Sequence, residues 1–350
     1  MRVLIATVIV PFLRGGAEIH AEGLRRAICA EGHEAEVVAI PFKWYPPERI
    51  LDQMLACRLL DVTESTGTPV ERLIGLKFPA YLMPHPNKVL WILHQHRPAY
   101  DLWGRCGGDL NDYPNGVQIR DAIRQADRHF IPQARAIFAN SRNVSRRLKQ
   151  HCDIDSVPLY HPPQDAERFY CAPAENYFFF PSRFQPLKRQ AVVLEALALT
   201  RQPVVVRFAG AADEPRYMAG LQALSRKLKV DRRVEWLGHV SEEEKRALYA
   251  RALGVIFPPL DEDYGYVTLE AMLAAKPVIT CTDSGGPLEF VRAGETGMVT
   301  EPTPAALAAA MDELWGDRQR AMRQGEAGCA HYHNLGISWP DVVRRLLSCS

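Results

Sequence analysis

Short apolar runs separated by amphipathic stretches set the rhythm of this chain. Residues 2–10 (RVLIATVIV), 35–40 (AEVVAI), 88–93 (KVLWIL) and 136–139 (AIFA) are too short for helices and too continuously apolar for a sheet with one wet face. They predict strands buried on both sides. After the first, a turn at Gly15-Gly16 leads into a segment whose apolar positions Ala17, Ala21, Leu24 and Ile28 step by four, three and four, and Gly32 closes it. That period is helical. The alternation restarts further on, with strands expected at 177–180, 204–209, 234–237, 253–257 and 277–281. Helix starts are marked by Ser241 with Glu244, a capping box, and by Thr303-Pro304, an N-cap followed by proline in the first turn. Strands alternating with helices predict an α/β fold of parallel sheets covered on both faces.

Two stretches break the rhythm. Residues 41–87 are rich in proline and aromatics with weak periodicity, which predicts a variable, substrate-facing insertion. Residues 160–177 (YHPPQDAERFYCAPAENY) interrupt the alternation with prolines and polar residues and are expected to link two domains. A length of 350 residues with 47% hydrophobic content supports two cores.

Charge and cysteine usage narrow the functions. With 42 basic against 41 acidic residues and a formal net charge of +1, no global field is available to hold a nucleic-acid backbone, so an anion must be bound locally. The eight cysteines show no C-x-x-C or other metal-ligand spacing and are expected to be reduced thiols of a cytoplasmic protein. The apolar start MRVLIATVIVPFL ends in Pro11 with no small-residue cleavage site, so it is expected to be a buried strand and not a signal peptide. No uncharged apolar run approaches the roughly 20 residues of a membrane span.

The stretch PPLDEDYGYVTLEAMLAAKPVIT, residues 258–280, places Glu262 and Glu270 eight positions apart around Tyr264-Gly265-Tyr266. On a single helix the carboxylates would be separated by about 12 Å of rise, beyond the roughly 5 to 9.5 Å of a glycosidase pair. The better geometry puts Glu262 in a loop after the strand ending at Phe257, and Glu270 one to two turns into a helix starting near Tyr266. Both then lie at the carboxyl ends of parallel strands, where ligands bind and where a helix start offers free N–H groups to an oxyanion. Alone, such a pair would describe a loop acid and a helix-surface acid. Neighbouring motifs change that. In PSRFQPLKRQ, residues 181–190, Arg183 and Lys188 follow a strand end and suit a diphosphate, and Arg189 is a competing cation. The turn GGAEIH, residues 15–20, permits close approach of backbone to a ligand, but no G-x-G-x-x-G and no acid after the second strand support a dinucleotide site. LHQHRPAYD, residues 93–101, carries His94 and His96 with no third ligand nearby, so no metal is expected. Asn140-Ser141 and Asp283-Ser284-Gly285-Gly286 read first as N-caps or turns.

Taken in order, these motifs resemble the retaining glycosyltransferases of family 4, along almost all of the chain outside residues 41–87. The usual E-G-F-G core here reads E-D-Y-G, with Asp263 in place of a glycine. The resemblance implies a GT-B type fold: two facing Rossmann-like domains, with a C-terminal helix around Trp339 to Leu347 crossing back to the first. Residues 1–165, completed by 336–350, would bind the acceptor, and residues 166–335 the nucleotide sugar. It further implies that Glu262 holds sugar hydroxyls, that Glu270 binds the ribose, and that Arg183 and Lys188 grip the pyrophosphate in place of a metal. His96, in preference to His94, would lie near the donor sugar. Gly15 and Gly16 would cover the diphosphate. Tyr264, Gly265 and Tyr266 complete the E-x7-E loop, Ser284, Gly285 and Gly286 sit beside sugar and diphosphate, and Gly210 and Val240 meet the base through backbone. The implied activity is metal-independent, cofactor-free hexosyl transfer with retention. The donor is a uridine or guanosine diphosphate sugar, and the acceptor a glycan or lipid-linked glycan in polysaccharide or glycoconjugate biosynthesis. The setting is cytoplasmic or at the inner membrane face, where the aromatic, basic segment FKWYPPER, residues 42–49, is suited to rest on lipid. A sugar-nucleotide epimerase of the same architecture and a non-catalytic sugar-nucleotide-binding protein are the rival readings. The second is disfavoured because Glu262, Glu270, Arg183 and Lys188 are all present.

Overall fold

The structure, a computed structural model, describes residues 1–12, 15–105, 107–212 and 214–349. The chain divides into two compact units, residues 1–164 with 337–350, and residues 165–336. Cys106 lies outside the described residues.

In the first unit the strands are β1 (Arg2–Ile9), β2 (Glu34–Pro41), the two-residue hairpin arms β3 (Glu64–Ser65) and β4 (Thr68–Pro69), β5 (Arg72–Lys77), β6 (Lys88–His94), β7 (Ala136–Ala139) and β8 (Val157–Pro158). The helices are α1 (Gly16–Ala30), α2 (Glu48–Leu59), α3 (Gly116–Phe130) and α4 (Arg142–Cys152). Apart from the hairpin, the strands form one parallel sheet in the order β2-β1-β5-β6-β7-β8. The second unit repeats the plan. Its strands β9 (Phe178–Pro181), β10 (Val206–Ala209), β11 (Val234–Gly238), β12 (Gly254–Ile256), β13 (Val278–Cys281) and β14 (Gly297–Thr300) pair in parallel in the order β11-β10-β9-β12-β13-β14. They are covered by α5 (Gln190–Leu199), α6 (Pro215–Lys227), α7 (Glu242–Arg251), α8 (Tyr266–Leu273), α9 (Pro304–Gly316) and α10 (Arg318–Asn334). The last helix, α11 (Trp339–Leu347), belongs to the first unit. Two parallel, doubly covered sheets of this order are Rossmann-like domains, as the alternating pattern predicts. Phe178, Phe179 and Phe180 are fully buried, as strands covered on both faces require.

Residues 41–87 are not an insertion. They contain α2 and β5, and β5 lies between β1 and β6 with Leu73, Ile74 and Leu76 fully buried. The run RLIGLK is broken by a glycine and bounded by charges, which hides a central strand. Gly75 is required by packing, since a Cβ there would stand 2.7 Å from Leu90 Cδ2 and 2.9 Å from the Tyr81 Cα. Arg72 is buried too, and its guanidinium donates to the carbonyls of Leu346 (3.2 Å), Leu347 (3.3 Å) and Cys349 (2.7 Å). These are carbonyls at the end of α11 that a helix cannot satisfy internally. The helix therefore returns to the first unit, as expected. Val342, Val343 and Leu346 join the core of Val3, Ile5, Leu24 and Ile28. In the 42–49 segment, Phe42 and Trp44 pack onto the core and Tyr45 is the exposed aromatic. No described helix is long and apolar enough to cross a membrane.

A buried aromatic knot joins α1, β6, the stretch after β8 and α11. His20 Nδ1 and His161 Nε2 are 2.9 Å apart, the ring of Trp91 lies 4.3 Å from that of His20, and Trp339 stacks on His161 at 5.5 Å. Burial, and for His20 also the neighbouring His161, push both imidazoles down, His161 to about 3. The folded rings stay neutral where the unfolded ones, near 6.5, take up protons. Their contribution to stability is therefore complete above pH 6.5 and is lost as pH falls from there toward 3. The loss is about 1.4 kcal/mol per pH unit for each ring. We expect the melting temperature to fall between about pH 7 and pH 5, with a shallower slope in His20→Gln, as read by scanning calorimetry. A slope unchanged by that substitution would exclude the pair as its source.

Candidate functional site

In the second sheet the chain runs outward from β9 to β10 and β11, then returns to place β12 on the other side of β9. The loops leaving the carboxyl ends of β9 and β12 diverge, and a crevice forms between them, the place where open parallel sheets hold ligands. The candidate residues predicted for this unit come from those loops, from α8, and from the segments after β10, β11 and β13.

Backbone bonds sew the three loops together. The amide of Leu260 donates to the Leu187 carbonyl at 2.8 Å, that of Asp261 to Asp283 at 2.9 Å, and that of Glu262 to Ser284 at 2.9 Å, while Gly286 donates back to Glu262 at 2.8 Å. Two glycines are dictated by this crowding. A Cβ on Gly286 would lie 2.5 Å from the Tyr264 carbonyl oxygen, and one on Gly210 would lie 2.1 Å from that of Ser182. Gly265 caps α8 with φ of 86°, a left-handed conformation that favours glycine. Tyr264 is buried, its ring 5.3 Å from Tyr266 and 5.7 Å from Phe290. Ser284 is buried, and its hydroxyl accepts from the Cys281 amide at 3.1 Å, so its side chain serves the turn. Gly285 and Gly286 follow in the same turn. Val240 is half-buried just after β11.

The charged groups sort into pairs. Lys188 Nζ contacts the Glu262 carboxylate. Arg189 instead forms a two-pronged pair with Asp283 (2.7 and 2.6 Å), which resolves the choice between adjacent cations: Lys188 meets the glutamate. Arg183 is exposed at the start of the turn, and its carbonyl accepts from Gln190 Nε2 at 2.8 Å. Glu270 sits on the fifth position of α8, buried, with Lys245 Nζ 3.0 Å from Oε1 and the Tyr249 hydroxyl 2.7 Å from Oε2. Burial raises the Tyr249 hydroxyl pKa, and Glu270 adds to it, so this phenol stays a donor. Lys245 and Tyr249 are an i, i+4 pair on α7 that sequence reasoning missed. The spacing was visible after the Ser241 cap, but not the carboxylate it faces.

The first unit holds the remaining candidates. Gly15 caps α1 and Gly16 opens it, and the Gly15 amide is taken by the Glu18 carboxylate at 2.8 Å. That amide is thus engaged within its own helix turn. Leu13 and Arg14 lie outside the described residues. His94 ends β6, and His96 follows it, buried between the rings of Phe78 (5.4 Å) and Phe42 (5.9 Å). Burial, then the nearby His94 and Lys77, push the His96 imidazole down to about 3, which keeps it neutral near pH 7. Beneath this loop Gln95 reaches Cys152 Sγ at 3.0 Å and bonds Asp127, which also accepts from Tyr81 (2.9 Å) and Tyr100 (2.8 Å). Burial raises Asp127 to about 7. Among the described residues no three His, Cys, Asp or Glu side chains group as metal ligands.

The chain is similar to known proteins in sequence and in fold. Residues 167–331, nearly all of the second unit, match the family model described as Glycosyl transferases group 1. The D-inositol 3-phosphate glycosyltransferase of Streptomyces scabiei is 28% identical, over 92% of this chain and 83% of that protein. Its namesake from Nocardia farcinica is 29% identical over 63% of this chain, and the O-antigen chain mannosyltransferase C of Escherichia coli 28% over 56%. The chain spans about half the length of these two, 53% and 55% respectively. Among solved structures, sucrose-phosphate synthase from Thermosynechococcus elongatus superimposes with a TM-score of 0.75 at 17% identity, over 99% of this chain and 97% of that one. Anabaena Alr3699/HepE in complex with UDP-glucose gives 0.72 at 17% identity, over 99% and 98%. The fold is of the GT-B type, with two Rossmann-like domains.

The sewn loops make a steric prediction. Gly286→Ala must move the 264 and 286 segments apart and is expected to cost about 1 to 3 kcal/mol, the range for overpacking. Gly220→Ala is a useful control, since neither glycine has a positive φ and nothing lies within 4 Å of the Gly220 Cβ position. Urea titrations of both variants test it; a loss in Gly286→Ala no larger than that in Gly220→Ala would show that crowding does not constrain position 286.

Proposed function

We propose that this protein is a retaining glycosyltransferase that moves a hexosyl group from a uridine or guanosine diphosphate sugar to a glycan or lipid-linked glycan acceptor. The observation that carries the proposal is the Lys188–Glu262 contact at the crevice between β9 and β12, with Glu270 buried on the adjoining helix. It draws support from the group 1 match over residues 167–331 and from relatives named for glycosyl transfer.

On this reading a donor diphosphate approaching the turn after β9 competes with Glu262 for Lys188. Arg183 and Lys188 then hold the pyrophosphate, and Glu262 is released to accept hydroxyls of the sugar. Glu270 accepts from the ribose with its orientation fixed by Lys245 and Tyr249. The Ser284-Gly285-Gly286 turn and the Tyr264–Tyr266 loop wall the sugar, and the backbone at Gly210 and Val240 meets the base. The bond from the anomeric carbon to the phosphate oxygen breaks with its electron pair going to the phosphate. The acceptor oxygen bonds the same face of that carbon, and its proton passes to the leaving phosphate. Arg183 and Lys188 stabilise the departing charge, the part a metal plays elsewhere. His96, on the first unit, is uncharged near pH 7 and so offers hydrogen bonds and not a charge.

Two outcomes follow. Transfer should survive exhaustive chelation, because the cations that stabilise the leaving group are side chains; loss of activity restored by magnesium or manganese alone would remove the metal-free mechanism. The two glutamates should fail differently. Glu270→Gln should weaken the free nucleoside diphosphate and the nucleotide sugar alike, by roughly 1.5 to 3 kcal/mol, with kcat less affected, because ribose contacts are the same in ground and transition states. Glu262→Gln should spare the free diphosphate and depress kcat. Calorimetry with the diphosphate beside steady-state kinetics separates them, and the reverse pattern would swap the roles.

A further inference from the structure

At the amino end of the first sheet, opposite the end that carries His96, a cavity of about 450 Å³ opens between the end of α2 and the segments around residues 61–63 and 84–88. That volume suits a small organic molecule. Its lining includes Arg58, Asp61, His85 and Lys88. Lys88 opens β6 and His94 ends it, so the two ends lie about 20 Å apart along the strand.

The charges here are unmatched. Lys88 is 2% exposed, yet the acceptor its ammonium has is the Tyr81 carbonyl at a long 3.4 Å. Three donors on a desolvated cation with one weak acceptor are costly. Burial, and then the nearby Arg58, pull the Lys88 amine down to about 8. Arg58 is held facing the same space, with one guanidinium nitrogen on the Leu82 carbonyl at 2.8 Å and the plane over Phe130 at 3.9 Å. His85 does not supply the missing charge, because one ring nitrogen meets the Val70 carbonyl (3.1 Å) and the other accepts from the Asn87 amide (3.0 Å). Asp61 accepts from the Thr63 amide (2.9 Å) and hydroxyl (2.6 Å), within its own loop. Two cations are thus driven together in one cavity, one of them buried, in a fold that gains nothing from their repulsion.

We propose that this cavity binds a small phosphomonoester, with Lys88 and Arg58 as its anchors. A phosphate dianion matches both positive charges and supplies the acceptors that the Lys88 ammonium lacks, and Arg58 presents the planar fork that suits phosphate oxygens. The cavity leaves room for the organic part of the ester.

The test is calorimetry on the full chain carrying Lys188→Ala, which removes the candidate diphosphate anchor of the second unit, with phenyl phosphate as the probe. Phenyl phosphate is expected to bind and benzyl alcohol not to. Arg58→Gln and Lys88→Gln should each weaken phenyl phosphate by roughly tenfold or more, the worth of a charge-assisted hydrogen bond. Should Lys88→Gln fail to fold, Arg58→Gln with an unchanged circular dichroism spectrum decides. Absence of binding, or equal affinity in the parent and Arg58→Gln proteins, overturns the proposal. Inorganic phosphate binding as tightly as phenyl phosphate overturns the assignment to an ester.

Discussion

The reversal of strand order beside β9 is the constraint on which the second unit's site depends. Because β10 and β12 flank β9 on opposite sides, the loops after β9 and β12 must part, and backbone groups that would otherwise pair are left facing one another across the crevice. The fold answers with direct ties: Leu260 to Leu187, Glu262 to Ser284 and Gly286 back to Glu262. Those ties hold Glu262 within reach of Lys188. They also explain why glycine stands at 286 and 210, where neighbouring carbonyls leave no room for a side chain. The chemistry is therefore placed by topology first and by side chains second.

Three of the ion pairs in this unit involve the candidate glutamates or the loops beside them: Lys188 with Glu262, Arg189 with Asp283, and Lys245 with Glu270. Each partner is partly withdrawn from water, so an ion pair here adds little net stability, while loss of one member strands the other. The pairs are not equivalent. Arg189 and Asp283 meet through two parallel bonds, a geometry that fixes a turn. Lys188 is a point charge on a flexible stem, able to exchange its carboxylate for another anion without disturbing the loop. A site that must release a carboxylate when a diphosphate arrives would put lysine in that place and arginine in the structural one.

Much of this was legible in the sequence, and the part that was not has a physical explanation. Continuous apolar runs at β1, β6, β7, β9 and β13 announced buried parallel strands, and a cap or glycine marked most helix ends. β5 was missed because a strand in the middle of a sheet can carry charges at its ends when those charges have partners elsewhere; Arg72 spends its guanidinium on the end of α11, 274 residues away in sequence. β8 has two residues, too few to show a pattern, and β14 (GMVT) opens on glycine and ends on threonine, without the continuous apolar run that marks strands of the same length. The contact between Lys188 and Glu262 was not legible, and Glu262, Glu270 and Lys188 could be singled out only through the resemblance that their motifs carry in order along the chain. Lys245 and Tyr249 could not, since a lysine and a tyrosine one turn apart on a polar helix say nothing about the acid they face. Asp127 was equally silent, one acid among Arg120, Asp121, Arg124 and Arg128 on an amphipathic helix, although it is the one that is buried.

The two sheets differ in strand order, β2-β1-β5-β6-β7-β8 in the first against β11-β10-β9-β12-β13-β14 in the second, and they also handle charge differently at their carboxyl ends. Around the His94–His96 loop of the first unit, burial holds His96 neutral near pH 7 and raises Asp127 beneath it to about 7, while Arg97 and Arg147 pair with Asp101. Around the crevice of the second unit, charge is kept by pairing it. A buried neutral group such as His96 favours partners that offer directional hydrogen bonds, because it has little electrostatic attraction to give an ion and is costly when left unpaired. A paired, charged edge does the reverse, since an incoming anion can replace one partner of an existing pair at small desolvation cost. That contrast follows from the burial and pairing of individual side chains.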